Sequence, residues 1–156
     1  MKLNIDCVRD VMLWAEENSD LRHPAIYIDT VLSKSLAEAY EEVPPPITPA
    51  QFELLTRYDN DELVYHIKYC IRAGLLDEFT SPDGYSIGVS DLTPSGHAFL
   101  ESIRYPVVYE KVKKVLNMLG VKSLEAATQA SSLVISNLIK SAIIKTNFFR
   151  YRGEAK

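Results

Sequence analysis

Apolar residues recur at helical spacing from the start of the chain. Ile5, Val8, Met12 and Ala15 fall at steps of three and four, with Cys7, Val11 and Trp14 on an adjoining stripe. Two stripes predict a helix over residues 4–18 that is covered on more than one side. Asn4 or Asp6 can start it, because a short side-chain oxygen accepts an orphan backbone N–H. Residues 19–24 break the period, and Tyr27 and Ile28 suit a short half-buried strand. Over residues 30–40, Val31, Leu32, Leu36 and Tyr40 fit a helix better than a strand. Pro44-Pro45-Pro46 ends it, since each proline lacks an N–H and restricts the residue before it. Thr48-Pro49 then reads as a cap and first-turn proline, opening a short helix through Phe52, Leu54 and Leu55.

The next helix has the clearest punctuation. Asp59 and Glu62 form a capping-box pattern, Leu63, Ile67, Cys70 and Ile71 give the buried stripe, and Gly74 supplies the stop. Residues 75–79 and 85–89 read as two strands joined by Ser81-Pro82-Asp83-Gly84, a turn in which proline presets φ and glycine permits a positive one. Thr93-Pro94 opens a further helix with Phe99, Leu100 and Ile103 on one side. After Pro106, Val108, Val112, Val115 and Leu119 follow at helical steps, and Gly120 closes that helix. Ser123 caps a last long helix, expected to reach Thr146. A short helix, a second helix ending in glycine and a small β-hairpin, in that order, make a winged helix-turn-helix. The expected architecture is mainly α with a small β-hairpin: a winged helix-turn-helix domain over 1–104 and a helical extension with a basic tail over 105–156. Trp14 and Ile67 are expected in one core cluster, the first helix against the recognition helix.

Charge divides the chain in the same place. Through Ile103 there are 7 Lys and Arg against 18 Asp and Glu, a net of -11; from Arg104 onward there are 10 against 3, a net of +7. Such blocks imply either two segments with different partners or a basic tail on an acidic body. The composition, 47% hydrophobic and 24% charged over 156 residues, is that of a globular chain and excludes a disordered tail or a disulfide scaffold. Two cysteines in apolar helical patterns and no apolar leader favour a reducing, cytoplasmic setting.

Three segments carry a family resemblance: Met1 to Asp10 (MKLNIDCVRD), Asp61 to Lys68 with Ala73-Gly74-Leu75-Leu76, and Val89 to Leu100 (VSDLTPSGHAFL). The chain to Leu119 resembles a bacterial family of unknown function that is common in phages and prophages and thought to be winged-helix. The resemblance implies that fold and a phage or prophage context, and it brings no catalytic residues. Residues 30–46 depart from the family pattern as a longer insertion.

Candidate chemistry is sparse. On the recognition helix, Tyr65, Lys68, Tyr69 and Arg72, with His66 nearby, form a set able to contact DNA or a partner. Against DNA stand Asp59, Asp61 and Glu62 at the helix end that normally meets the groove, and a wing tip without Lys or Arg. His66 and Cys70, four apart, share a face as metal ligands would, but His23 and His97 bring no companions at ligand spacing and Cys70 lies on the apolar stripe. Cys7 is expected to be buried and inert, and His97 to cap or pack a helix start. The six glycines are scattered, with no phosphate loop and no nucleophile elbow. No metal, cofactor or catalytic residue is therefore expected, and the chain is expected not to be an enzyme.

In the last helix Gln129, Asn137 and Lys140 interrupt any span of membrane length. Its apolar positions nevertheless run around too much of the helix for one small domain and water. Val134, Leu138 and Ile139 are expected to dock on the body, with Leu133, Ala142 and Ile144 left for a second surface. Leu133, Val134, Leu138, Ala142 and Ile144 are thus the candidate oligomer interface, and a homodimer or hetero-complex is expected. The leading functional expectation is a non-enzymatic regulatory or adaptor module acting through protein contacts; the alternative is a sequence-specific DNA-binding regulator.

Overall fold

The computed structural model describes residues 1–153. Its elements are α1 (Ile5–Asn18), β1 (Ala25–Ile28), α2 (Thr30–Ala39), α3 (Pro49–Leu55), α4 (Asn60–Arg72), β2 (Leu76–Phe79), β3 (Ser86–Leu92), α5 (Pro94–Ile103), α6 (Pro106–Leu119) and α7 (Leu124–Gly153). The fold is mainly helical with one small antiparallel sheet. The chain forms two compact units, one over Met1–Leu100 and one from Glu101 onward.

In the first unit, α1 packs on α4 and on the sheet. Ile5, Cys7, Val8, Val11, Met12, Trp14 and Ala15 are all buried, so both sequence stripes are covered. Asn4 is the cap: its side-chain oxygen accepts from the N–H groups of Asp6 and Cys7. Trp14 and Ile67 are both core residues, and Trp14 meets Tyr27 edge to face at 6.2 Å.

The sheet has three strands rather than a hairpin alone. Its order is β1-β3-β2, so the Tyr27 strand joins the hairpin's longer arm, with Tyr27 opposite Ile87 and Ile28 opposite Ser86. β3 runs three residues past Val89, because Leu92 pairs with Leu76 beyond a register shift at Asp77/Glu78. The outer edge of β1 would expose backbone groups, and buried Gln51 pairs those of Ile28. Its side chain accepts from the Ile28 N–H at 3.0 Å and donates to the Ile28 carbonyl. Buried Asn60 does similar work: its oxygen accepts from Tyr27, the Thr30 N–H and the Thr30 hydroxyl, and its nitrogen donates to Asp29.

Several faces differ from the sequence pattern. In α2 the buried residues are Ser33 and Ala37, whereas Val31, Leu32 and Tyr40 are exposed. The small residues face inward and the bulky ones are left to solvent. In α4, Ile71 is only half-buried, and Asn60 and His66 join Leu63, Ile67 and Cys70 inside. Asp59 accepts from the Glu62 N–H at 2.7 Å, half of the capping box, while the Glu62 carboxylate turns to Asn4 instead.

In the second unit, α6 and α7 form a helical hairpin turned by Gly120, which is left-handed at φ 66. The buried stripe of α6 is Tyr109, Val112 and Leu116; Val108 and Val115 are half-buried and Leu119 is exposed. Of the expected stripe Val108, Val112, Val115 and Leu119, only Val112 is fully buried, the covered side lying one residue further on at Tyr109 and Leu116. Ser123 caps α7 by accepting from the Ala126 N–H. Ala127, Ala130, Ser131 and Val134 are its buried residues and Leu138 is half-buried. Val134 is thus core rather than interface, and Ile139, expected to dock, is 55% exposed. The helix also runs past Thr146 to Gly153.

Candidate functional site

Lys68 and Arg72 project from α4 and are exposed, while Tyr65 and Tyr69 beside them are half-buried, their rings 6.1 Å apart. These four share the outer side of the helix, as the one-turn spacing requires. Lys68 also lines a groove of about 230 Å³ with Asp29, Glu78, Phe79 and Tyr85. The hairpin tip is organised by Asp83, which accepts from the Tyr85 and Ser86 N–H groups and from the Ser86 hydroxyl, next to Gly84 at φ 78. Residues 80–84 contribute no Lys or Arg of their own.

His66 does not belong to this outer set. It is fully buried: its Nε2 accepts from the Asn4 backbone N–H at 2.9 Å, and its Nδ1 donates to the Glu62 carbonyl at 2.8 Å. With Nδ1 facing a carbonyl and Nε2 facing an N–H, both nitrogens are used and the tautomer is set. Asn4 Nδ2 also donates to Glu62 Oε1 at 2.8 Å. The start of α1 is thereby clasped to the first turns of α4. This clasp was not legible from spacing, since Asn4 and His66 are 62 residues apart.

The clasp brings Cys7, Glu62 and His66 together, with ligand atoms all within 4.8 Å of one another. The sequence had paired His66 with Cys70 instead. A metal bound through Nε2 would have to displace the Asn4 N–H and take the proton from a thiol that resists losing it. Burial, and then the charge of Glu62, raise the Cys7 pKa well above the usual thiol range. Burial alone pushes Cys70 up to about 12. The hydrogen bonds therefore account for the cluster as a structural junction. Both thiols stay protonated at neutral pH and shielded from solvent. The native protein should leave a disulfide reagent such as DTNB unreacted and consume two equivalents once unfolded; rapid native labelling of Cys7 would show an accessible site.

Elsewhere charges are matched locally. Arg57 bonds Asp10 at 2.7 Å and Glu53 at 2.8 Å, and the Tyr58 hydroxyl donates to Asp10 at 2.9 Å. His97 is exposed near Glu16 and Asp91, at 3.8 and 3.9 Å. Among the described residues no helix is long and apolar enough to cross a membrane.

Of the expected interface on α7, Leu133, Ala142 and Ile144 are exposed, Leu138 is half-buried and Val134 is covered. Comparison with known proteins finds no matching curated protein and no matching solved structure. A family of hypothetical proteins, DUF2513, matches residues 2–122, through α6 and up to the residue before the α7 cap. With that match spanning most of its length, the chain belongs to the DUF2513 family.

Proposed function

We propose that this chain is a non-enzymatic winged helix-turn-helix protein of phage or prophage type, a regulator or adaptor that works through protein contacts. Support for the fold comes from the order α3, turn, α4, hairpin, with β1 added to the hairpin's long arm. The phage setting rests on the resemblance of the three sequence segments. The observation that carries the functional reading is the charge around α4. Asp59, Asp61 and Glu62 lie at its N-terminal end, the tip segment 80–84 contains no Lys or Arg, and residues 1–100 hold 7 Lys and Arg against 17 Asp and Glu. DNA presents a dense line of phosphates, and a surface of this sign is repelled by it. The buried, hydrogen-bonded His66 and the shielded thiols support a non-enzymatic role.

The DNA-binding reading keeps one observation in its favour, the exposed pair Lys68 and Arg72 with Tyr65 and Tyr69 beside them. Fluorescence anisotropy of the full chain against random duplex, and selection from a randomised duplex library, separate the two. At near-physiological salt the dissociation constant for random duplex should be weaker than about 100 µM, at the weak end of non-specific binding, and no sequence should be enriched. A micromolar or tighter complex, steeply salt-dependent and lost in Lys68→Ala/Arg72→Ala, would overturn the protein-contact reading.

A further inference from the structure

The second half of α7 has no cover within its own hairpin. At 1.5 Å per residue the 30 residues of α7 reach about 45 Å and the 14 of α6 about 21 Å. Burial on α7 fades where α6 runs out: Val134 is covered, Leu138 half-covered, and every described side chain from Ile139 on is exposed. Ile139, Ile143, Ile144, Phe148 and Phe149 are each more than half exposed. A lone helical segment of this length, rich in β-branched residues, is marginal in water. Between Glu125 and Gly153 the sequence has Lys140, Lys145, Arg150 and Arg152 and no acidic residue.

Those charges select among occupants. Pairing with another α7 would set four cations against four. An anionic bilayer favours a helix with separate apolar and basic faces, but Lys140, Lys145 and Arg150 follow one another about 140° apart around the axis. The fitting counterpart is an acidic protein surface that also carries exposed apolar groups. The chain has one in residues 31–43, where Val31, Leu32, Tyr40 and Val43 are exposed alongside Glu38, Glu41 and Glu42, three carboxylates against the single cation Lys34, which lies 4.0 Å from Glu38.

We infer that the distal half of α7 is a docking arm for a second copy of this chain, seated on that copy's apolar, acidic surface at residues 31–43. This rests on the protein-contact reading and names its partner. Apolar contact supplies the affinity, and the opposite charges set the register and exclude α7–α7 pairing. The two ends of the contact differ, so reciprocal exchange between two copies closes a symmetric dimer.

Light scattering of the full chain at tens of micromolar tests it, since DNA binding, the failure of the functional reading, leaves this measurement untouched. The parent protein should be a dimer that dissociates as salt rises. Lys145→Glu/Arg150→Glu and Glu38→Lys/Glu42→Lys should each weaken the dimer about tenfold or more, and the four changes combined should restore it. All four sites are exposed, so circular dichroism of each variant should match the parent. A monomeric parent, including one that instead binds phosphatidylserine vesicles, would overturn the inference. So would a dimer indifferent to the 38/42 reversal, or one not recovered in the fourfold variant.

Discussion

Ile67→Asp should abolish cooperative thermal unfolding, because it places a carboxylate where the native side chain is 0% exposed. The neighbours of Ile67 on α4 are Leu63, His66 and Cys70, and α1 covers them with Val8, Val11 and Met12 among its buried side chains. His66 offers no rescue, since its Nε2 is held by the Asn4 N–H and its Nδ1 by the Glu62 carbonyl. An unpaired buried charge costs several kcal/mol, on the order of the whole stability of a domain this size. Lys68→Asp, one residue along and exposed, should leave the melting temperature within a few degrees of the parent. A melt followed by circular dichroism checks both. An Ile67→Asp variant that melts like the parent would place α4 in the wrong register.

Gly96→Ala should be the next most damaging change, although alanine is the better helix former. A β-carbon at Gly96 would land on the Leu75 carbonyl oxygen and 2.9 Å from its carbon, both of them backbone. Nothing there can rotate aside. That contact is where α5 meets the end of α4: Thr93 accepts from the Gly96 N–H, its hydroxyl donates to the Gly74 carbonyl, and its own N–H donates to Leu75. Overpacking of this kind costs about 3 kcal/mol, against a gain in helix propensity of about 1 kcal/mol. Denaturant melts should show a lower midpoint with little change in slope. An unchanged midpoint would mean that α5 is free to move away from the α4–β2 corner.

Both predictions bear on how the α4 surface is held. The outer residues Tyr65, Lys68, Tyr69 and Arg72 are presented only as firmly as the inner face is packed, and the Asn4–His66–Glu62 clasp fixes the end of α4 that carries the acidic cluster. Variants aimed at function should therefore be confined to the outer four residues and to the exposed positions of α2 and α7.

The amino-acid sequence by itself determined the helices and those of their ends that carry a cap or a glycine stop. Asn4, Thr48, Asp59 and Ser123 cap helices as their short polar side chains require, and Gly74 and Gly120 take the positive φ that the helix stops need. Those signals are local: a cap or a stop acts within a few residues, so spacing is enough to read it. Tertiary structure decided which face of each element is inside. Ser33 and Ala37 rather than Val31 and Leu32 line the inner side of α2, and Tyr109 and Leu116 join Val112 in α6 where Val108, Val115 and Leu119 were expected. It also decided that β1 joins the hairpin, and that His66 leaves the surface for a bond to Asn4. Burial and pairing of this kind depend on residues tens of positions apart, whose approach is set by how helices of given length and bulk can pack. The length of α7 against α6 shows the same division: the pattern around the helix was visible in the sequence, but where its cover ends followed only from how far the neighbouring helix reaches.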